Sequence, residues 1–214
     1  MRAMHRPALA LTLLVACSKP TTEATPTPSA IPPTQTSASA VGSASGSASA
    51  SASASPSAAP PDFKTFPNTP AGAKSLVSEF LKPGVDAAAL SKQLRPASAD
   101  YKAVFDAATA AKIDAVYSPE WDKGSFVVQA RPGQTEVKIS SATVADFKAA
   151  NEKAKDFPSG YAKLAPRLVG ASTIYRFRFV EPGQEQGNAY DGLVYVNGHW
   201  VLIPKPWRGL DDHH

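Results

Sequence analysis

The sequence predicts an α+β fold in which N-terminal helices pack on a curved antiparallel sheet that ends in a C-terminal β-hairpin. Three observations carry this. Apolar residues recur at helical spacing between positions 70 and 117. From Ser125 onward the apolar period becomes two, the signature of strands. Finally, Asn197-Gly198 stands between two apolar runs, which is the strongest short hairpin signal a sequence offers. Helices first and an antiparallel sheet afterwards make an α+β order.

The elements follow in turn. Thr69-Pro70 opens a first helix, a capping hydroxyl followed by proline at the first helical position. Leu76, Val77, Phe80 and Leu81 form its apolar stripe, and Lys82-Pro83-Gly84 stops it. Asp86 caps a short helix carrying Leu90 and Leu94. Ser98 is expected to cap a third, with Tyr101, Val104, Phe105 and Ala108 at i, i+3, i+4 and i+7, continued by Ile113, Val116 and Tyr117 to Ser118-Pro119. Phe126, Val128 and Ala130 alternate with Val127 and Gln129, which predicts a strand. Arg131-Pro132-Gly133 then turns the chain into a second strand through Val137 and Ile139. Thr143 with Asp146 forms a capping box for a helix through Lys155. Phe157-Pro158-Ser159-Gly160 breaks that helix, and residues 161–168 suggest another around Pro166.

Residues 172–181 alternate, with Tyr175, Phe177 and Phe179 on one face and Ile174, Arg176 and Arg178 on the other. A polar loop is expected to run from Glu181-Pro182-Gly183 to Asn188. In the closing hairpin a two-residue turn pairs Tyr195 with Trp200, Leu193 with Leu202, Val194 with Val201 and Val196 with His199. Both hairpin faces are then largely apolar, which predicts a strand pair in mid-sheet, with Phe177 packed beside Trp200.

The N-terminus has a different character. Arg2 and Arg6 precede about ten mainly apolar residues ending at Ala16. A membrane span needs roughly 20, so the run fits a secretory signal peptide over residues 1–16. Leu14-Val15-Ala16-Cys17 resembles the lipobox of bacterial lipoproteins. The resemblance implies that Cys17 is lipidated and becomes the mature N-terminus. It also implies a bacterial cell envelope location, with Ser18 favouring the outer membrane in a diderm cell. Cys17 is the only cysteine, so no internal disulfide can form.

Residues 17–61 then hold the lipidated end and a Ser/Ala/Pro/Thr-rich linker. The linker's only charges are Lys19 and Glu23, and its only large apolar residues are Ile31 and Val41. Such a segment cannot bury enough surface to offset chain entropy and is expected to be a disordered tether, one that permits O-glycosylation. A flexible chain of 44 residues spans roughly 35–40 Å r.m.s. and reaches about 135 Å when extended. Residues 62–214, about 150 in number, suffice for a single α+β domain.

Removing Arg2 and Arg6 with the leader lowers the formal charge from +4 to +2. A near-neutral mature chain lacks the basic footprint of a nucleic-acid binder. There is no HExxH, GxSxG, phosphate-binding glycine loop or paired-cysteine spacing, so no catalytic residue, metal or cofactor is assigned. His199 reads as a polar residue at a sheet end, and Asp211-Asp212-His213-His214 as a terminal tail.

The element order over residues 71–207 resembles the cone of the nuclear transport factor two and ketosteroid isomerase superfamily, a curved sheet closed by helices; a cystatin-like arrangement shares this outline. That superfamily hosts isomerases, hydratases, binding modules and scaffolds alike, so fold resemblance does not transmit function. An isomerase of this type needs a carboxylate base and a hydrogen-bond donor in an apolar cone. Asp191 with Tyr190 and Tyr195, or Glu120 beside Trp121, are the residues available, although Asp191 before Gly192 also reads as a turn residue.

The candidate binding surface comprises Arg176, Arg178, Trp207 and Arg208. The two strand arginines form a ladder for an anionic envelope polymer, or simply a solvated face. Trp207 in PKPWRG either caps the core or presents a contact surface between cations. These residues describe a lipid-anchored, non-catalytic binding or docking domain on a flexible tether, whose partners are the membrane and an envelope polymer or protein. A homodimeric scaffold using the sheet face and a small-ligand enzyme are the rival readings.

Overall fold

The computed structural model describes residues 60–210. The leader, Cys17, almost all of the linker and the tail at residues 211–214 lie outside the described residues. Within them the fold is α+β: seven α-helices and one four-stranded antiparallel sheet.

The N-terminal helices form where local chemistry directs. Helix α1 (Pro70–Ser78) starts at Thr69, whose hydroxyl accepts from the Gly72 amide, and buries Ala73, Leu76 and Val77. Asp86 caps α2 (Ala87–Gln93) by accepting from Ala89 at 2.9 Å. Helix α3 (Ser98–Val104) corrects the expected cap. Ser98 is already the first helical residue, and the Asp100 carboxylate closes the end by accepting from the Ala97 amide at 2.7 Å.

The helix expected to run on through Ala108 is two helices. Phe105 is extended and bridges Leu168, while the Asp106 amide donates to Arg167 O and the Val169 amide to Val104 O. Asp106 then caps α4 (Ala107–Asp122) through the Thr109 amide at 2.8 Å. Helix α4 also passes the expected stop at Pro119, because a proline in the last turn forfeits only one helical bond.

The expected strand at residues 126–130 does not form. The Val128 amide donates to Ser91 Oγ and the Gln129 amide to the Tyr190 hydroxyl, so side chains replace the ladder. Phe126 stacks on Tyr117, with ring centroids 5.4 Å apart, and lies tilted against Trp121.

Strand β1 (Glu136–Thr143) leads into α5 (Val144–Ala149) through the expected Thr143–Asp146 box. Ala150 then turns left-handed at φ 49° and Asn151 caps a new helix, α6 (Glu152–Lys155), so the single predicted helix is split. Helix α7 (Gly160–Leu164) gives way to a 3-10 turn around Pro166.

The sheet continues with β2 (Thr173–Val180), β3 (Gly187–Val196) and β4 (His199–Leu202), in the order β1-β2-β3-β4. All four predicted hairpin pairs are present. Two expectations change. Strand β3 starts at Gly187 rather than after the loop, and β4 is an edge strand rather than part of a mid-sheet pair. The edge is blunted because the Leu202 amide donates to Leu94 O at the end of α2.

Helical elements cover both faces of the sheet. On one, Trp200 donates its indole N–H to Phe66 O, and α1 lies against β1 and β2. Trp200 meets Tyr175 at 5.5 Å and Tyr195 at 5.3 Å, so its neighbour on β2 is Tyr175 rather than Phe177. On the other face, Ile174, Val194 and Ile203 close on Val104, Phe105, Tyr161 and Pro206 around a cavity of only about 10 Å³. That is at most the room of one water.

Candidate functional site

The site grows from an irregularity in β3. Tyr175 pairs with Leu193 but Arg176 pairs with Asp191, which leaves Gly192 as an extra residue in a bulge. Gly192 has φ +90°, and its carbonyl accepts from the Ile203 amide at 2.9 Å. Side chains alternate along a strand, so without the bulge Asp191 and Leu193 would share a face. The extra residue lets Asp191 point with Arg176, Ile174 and Val194 while Leu193 packs on the Trp200 side. Asp191 is therefore a buried mid-strand carboxylate and not a turn residue.

Around Asp191 the chain gathers polar groups from distant elements. The Tyr161 hydroxyl donates to Asp191 Oδ1 at 3.3 Å, and the Lys205 amide donates to the same oxygen at 3.2 Å. Tyr117 holds that segment from the other side by donating to Lys205 O at 2.7 Å. Lys205 sits at φ 49°, a left-handed turn held between these two bonds. Tyr190 and Tyr195, the phenols expected beside Asp191, are engaged elsewhere: Tyr190 bonds Gln129 and Asn188, and Tyr195 packs on Trp200. Glu120 is likewise committed, to Lys123 and Ser125, and those partners hold its carboxyl below the usual range.

Asp191 is 6% exposed. Burial pushes its carboxyl above the ordinary 3.8, opposed by the bonds from Lys205 and Tyr161 and by the charge of Arg176. Burial, then Asp191 itself, pushes the Tyr161 hydroxyl well above its ordinary range, so it remains a donor. The folded state holds the Asp191 proton more tightly than the unfolded chain. This contribution therefore favours folding at low pH and is lost as pH rises through the raised value. Asp191→Asn, which keeps an acceptor oxygen and removes the charge, should match or exceed the wild type in stability at neutral pH. That advantage should shrink as pH falls toward the ordinary carboxylate range. Urea melts of both proteins across pH are the measurement, and an asparagine variant less stable than wild type at neutral pH, with the gap closing at acid pH, would reverse the sign.

The structure brings two of the four nominated surface residues to this place. Arg176 is half-buried, donates from Nη1 to Asp156 O, and keeps a buried Nε with no hydrogen-bond partner. Burial, then the neighbouring Arg178, lowers the affinity of its guanidinium for the proton. Arg176 is thus partly withdrawn from solvent. Trp207 lies edge-on to Tyr161 at 5.3 Å, over Gly160, where a Cβ would stand 2.2 Å from the indole. It is partly buried and caps the core, as one of its two readings had it. Arg178, also half-buried, continues the strand, and Arg208 is exposed on the final 3-10 turn. Cys17 lies outside the described residues.

Sequence reasoning missed two features. Tyr161 belongs to an aromatic cluster with Phe147, stacked at 4.9 Å, and Phe157, edge-on at 5.3 Å. These rings floor a cleft of about 300 Å³ that Ala150, Ala154, Lys155, Pro158, Ser159 and Ala162 complete. The second is a buried carboxylate at the hairpin turn. Asp100 accepts from Asn197 Nδ2 at 2.7 Å and lies 3.2 Å from His199 Nε2, so His199 is tied to α3 rather than merely polar.

No family model matches the chain, and neither the curated proteins nor the solved structures yield a match.

Proposed function

We propose that this chain is a lipid-anchored protein of the bacterial cell envelope that presents a non-catalytic binding domain on a flexible tether. One observation supports the non-catalytic part best. Between sheet and helices beside Gly192, next to Asp191, side chains leave a cavity of only about 10 Å³, too small for a substrate of the kind a ketosteroid isomerase-like enzyme holds. The carboxylate closest to such a role, Asp191, is turned to Tyr161 and the Lys205 amide. A general base needs to reach a proton of the substrate at hydrogen-bond distance. The dimeric scaffold reading draws no support either, since the apolar faces of β3 and β4 are buried under this chain's own helices.

The anchoring part rests on Leu14-Val15-Ala16-Cys17 and on the tether that follows. Reach matters for a domain that must meet a partner at a fixed distance from a membrane, and little for an enzyme acting on a diffusible substrate. Each buried acyl CH₂ contributes roughly 0.8 kcal/mol, so two or more chains hold where one binds reversibly. Cys17→Ser should abolish incorporation of an alkyne fatty-acid analogue and leave the protein unlipidated and without an anchor through Cys17. A wild-type chain that takes up no label would remove the lipoprotein reading. For the envelope partner, co-sedimentation with isolated cell-wall sacculi is the direct assay, and Arg178→Glu with Arg208→Glu should lower the bound fraction.

A further inference from the structure

The cleft between α5, α6 and α7 has the construction of a ligand site. Its floor consists of three rings that fix one another: Phe147 meets Phe157 at 4.9 Å and Tyr161 at 4.9 Å. Trp207 also packs edge-on against Tyr161, and Asp191 holds its hydroxyl. A floor held by these mutual contacts has little side-chain entropy left to lose when a ligand lands. The volume, about 300 Å³, falls at the lower end of the range for small-molecule pockets. The walls are alanines and a proline, and the polar lining is confined to Lys155 and Ser159.

Cations exceed acids around the mouth, with Lys148, Lys155, Lys163 and Arg176 against Asp146, Glu152 and Asp156. The Arg176 guanidinium reaches the margin through Nη1, bonded to Asp156 O between the lining residues Lys155 and Phe157. Two of the nearby acids are already engaged. Asp146 accepts from Thr143 and Asn151, and Glu152 pairs with Lys155 in a solvent-exposed ion pair that an incoming carboxylate can displace. Lys148 and Lys163, exposed on α5 and α7, form no ion pair among the described residues. An apolar floor under a cationic rim complements a molecule with an apolar body and one negative end.

We propose that this cleft binds a small amphipathic carboxylate free in solution, its apolar part on Phe147, Phe157 and Tyr161 and its carboxylate toward Lys155 and Arg176. This deepens the binding reading above and rests on it, but not on the lipid anchor.

The test uses the full chain carrying Cys17→Ser, titrated calorimetrically with octanoate, octanol and octyltrimethylammonium below their micellar range. Octanoate should bind saturably, octanol about tenfold more weakly, and the ammonium compound more weakly still. Ala162→Phe places a ring in the cleft from an exposed position and should cost octanoate about tenfold in affinity with an unchanged melt. Lys155→Glu, a surface change that cannot unfold the domain by packing, should lower octanoate affinity and raise that of the ammonium compound. Absence of saturable octanoate binding overturns the proposal. So does an ammonium affinity equal to that of octanoate, or an Ala162→Phe chain that folds and binds like wild type. Binding to anionic phosphatidylglycerol vesicles with no response to octanoate would also overturn it, in favour of a membrane surface. Recovery of octanoate chemically altered would instead sink the non-catalytic reading while leaving the cleft in place.

Discussion

Trp200→Ala is expected to unfold the domain or leave it barely folded. The side chain is fully buried, edge-on to both Tyr175 and Tyr195, and its indole N–H donates to Phe66 O at 2.9 Å. Truncating a buried aromatic costs about 3–5 kcal/mol in lost transfer energy and residual cavity. Leaving the Phe66 carbonyl unpaired adds about 1–3 kcal/mol wherever water cannot reach it. A domain of this size has roughly 5–15 kcal/mol in total, so the combined loss takes most of it. The same bond ties the N-terminal 3-10 turn (Phe63–Thr65) and its flanking Phe66 to β4, so Phe63 and its partner Phe80 should loosen together with the sheet. Trp200→Phe keeps most of the volume and loses the bond, and should fall between the two. Arg178→Ala touches no buried contact of this kind and should stay within about 0.5 kcal/mol of wild type. Urea melts of the four proteins decide the matter; a Trp200→Ala midpoint equal to that of Arg178→Ala would mean the sheet has been read inside out.

What could be read from the sequence was whatever is decided within a few residues. Thr69-Pro70, Asp86, the Thr143–Asp146 box and Asn197-Gly198 each carry their own hydrogen bond or backbone requirement, and each forms as expected. What escaped was decided by distant partners. Tyr101, Val104 and Phe105 kept helical spacing up to a break imposed by Leu168, which pairs with Phe105 from the other half of the domain. The alternation at residues 126–130 is real, yet Ser91 and Tyr190 take the amides that a ladder would have used. The same limit hid the site. Arg176 and Trp207 were visible as unusual residues, but Tyr161, which joins Trp207 to the cleft and faces Asp191, sat in a segment broken by prolines. The aromatics at 147, 157 and 161 were the signal available. Their convergence depends on the left-handed turn at Ala150, which no local preference announces for alanine.

The second large effect is expected at Gly192, and it separates two reasons for a glycine. Gly192 and Gly198 both have positive φ, +90° and +82°. At Gly198 a Cβ would meet nothing within 4 Å, so Gly198→Ala pays only the conformational penalty, about 1–2 kcal/mol. At Gly192 a Cβ would stand 2.0 Å from Ile203 O and 2.7 Å from its carbon, backbone atoms that cannot rotate away. Relief requires β3 and the residues after β4 to separate, which breaks the Ile203-to-Gly192 hydrogen bond. It also withdraws Asp191 from the Lys205 amide and so frees the segment that carries Trp207. Gly192→Ala should therefore cost about 3–5 kcal/mol, in the range reserved for severe core disruption. Because the damage spreads through Lys205 to Trp207 and Tyr161, Trp207 fluorescence should change even in the fraction that remains folded. In Gly198→Ala it should not, since the hairpin turn lies beyond the end of β3, away from the bulge. Equal stability losses in the two alanine variants would show that the bulge yields easily and that Asp191 is not held where the sheet places it.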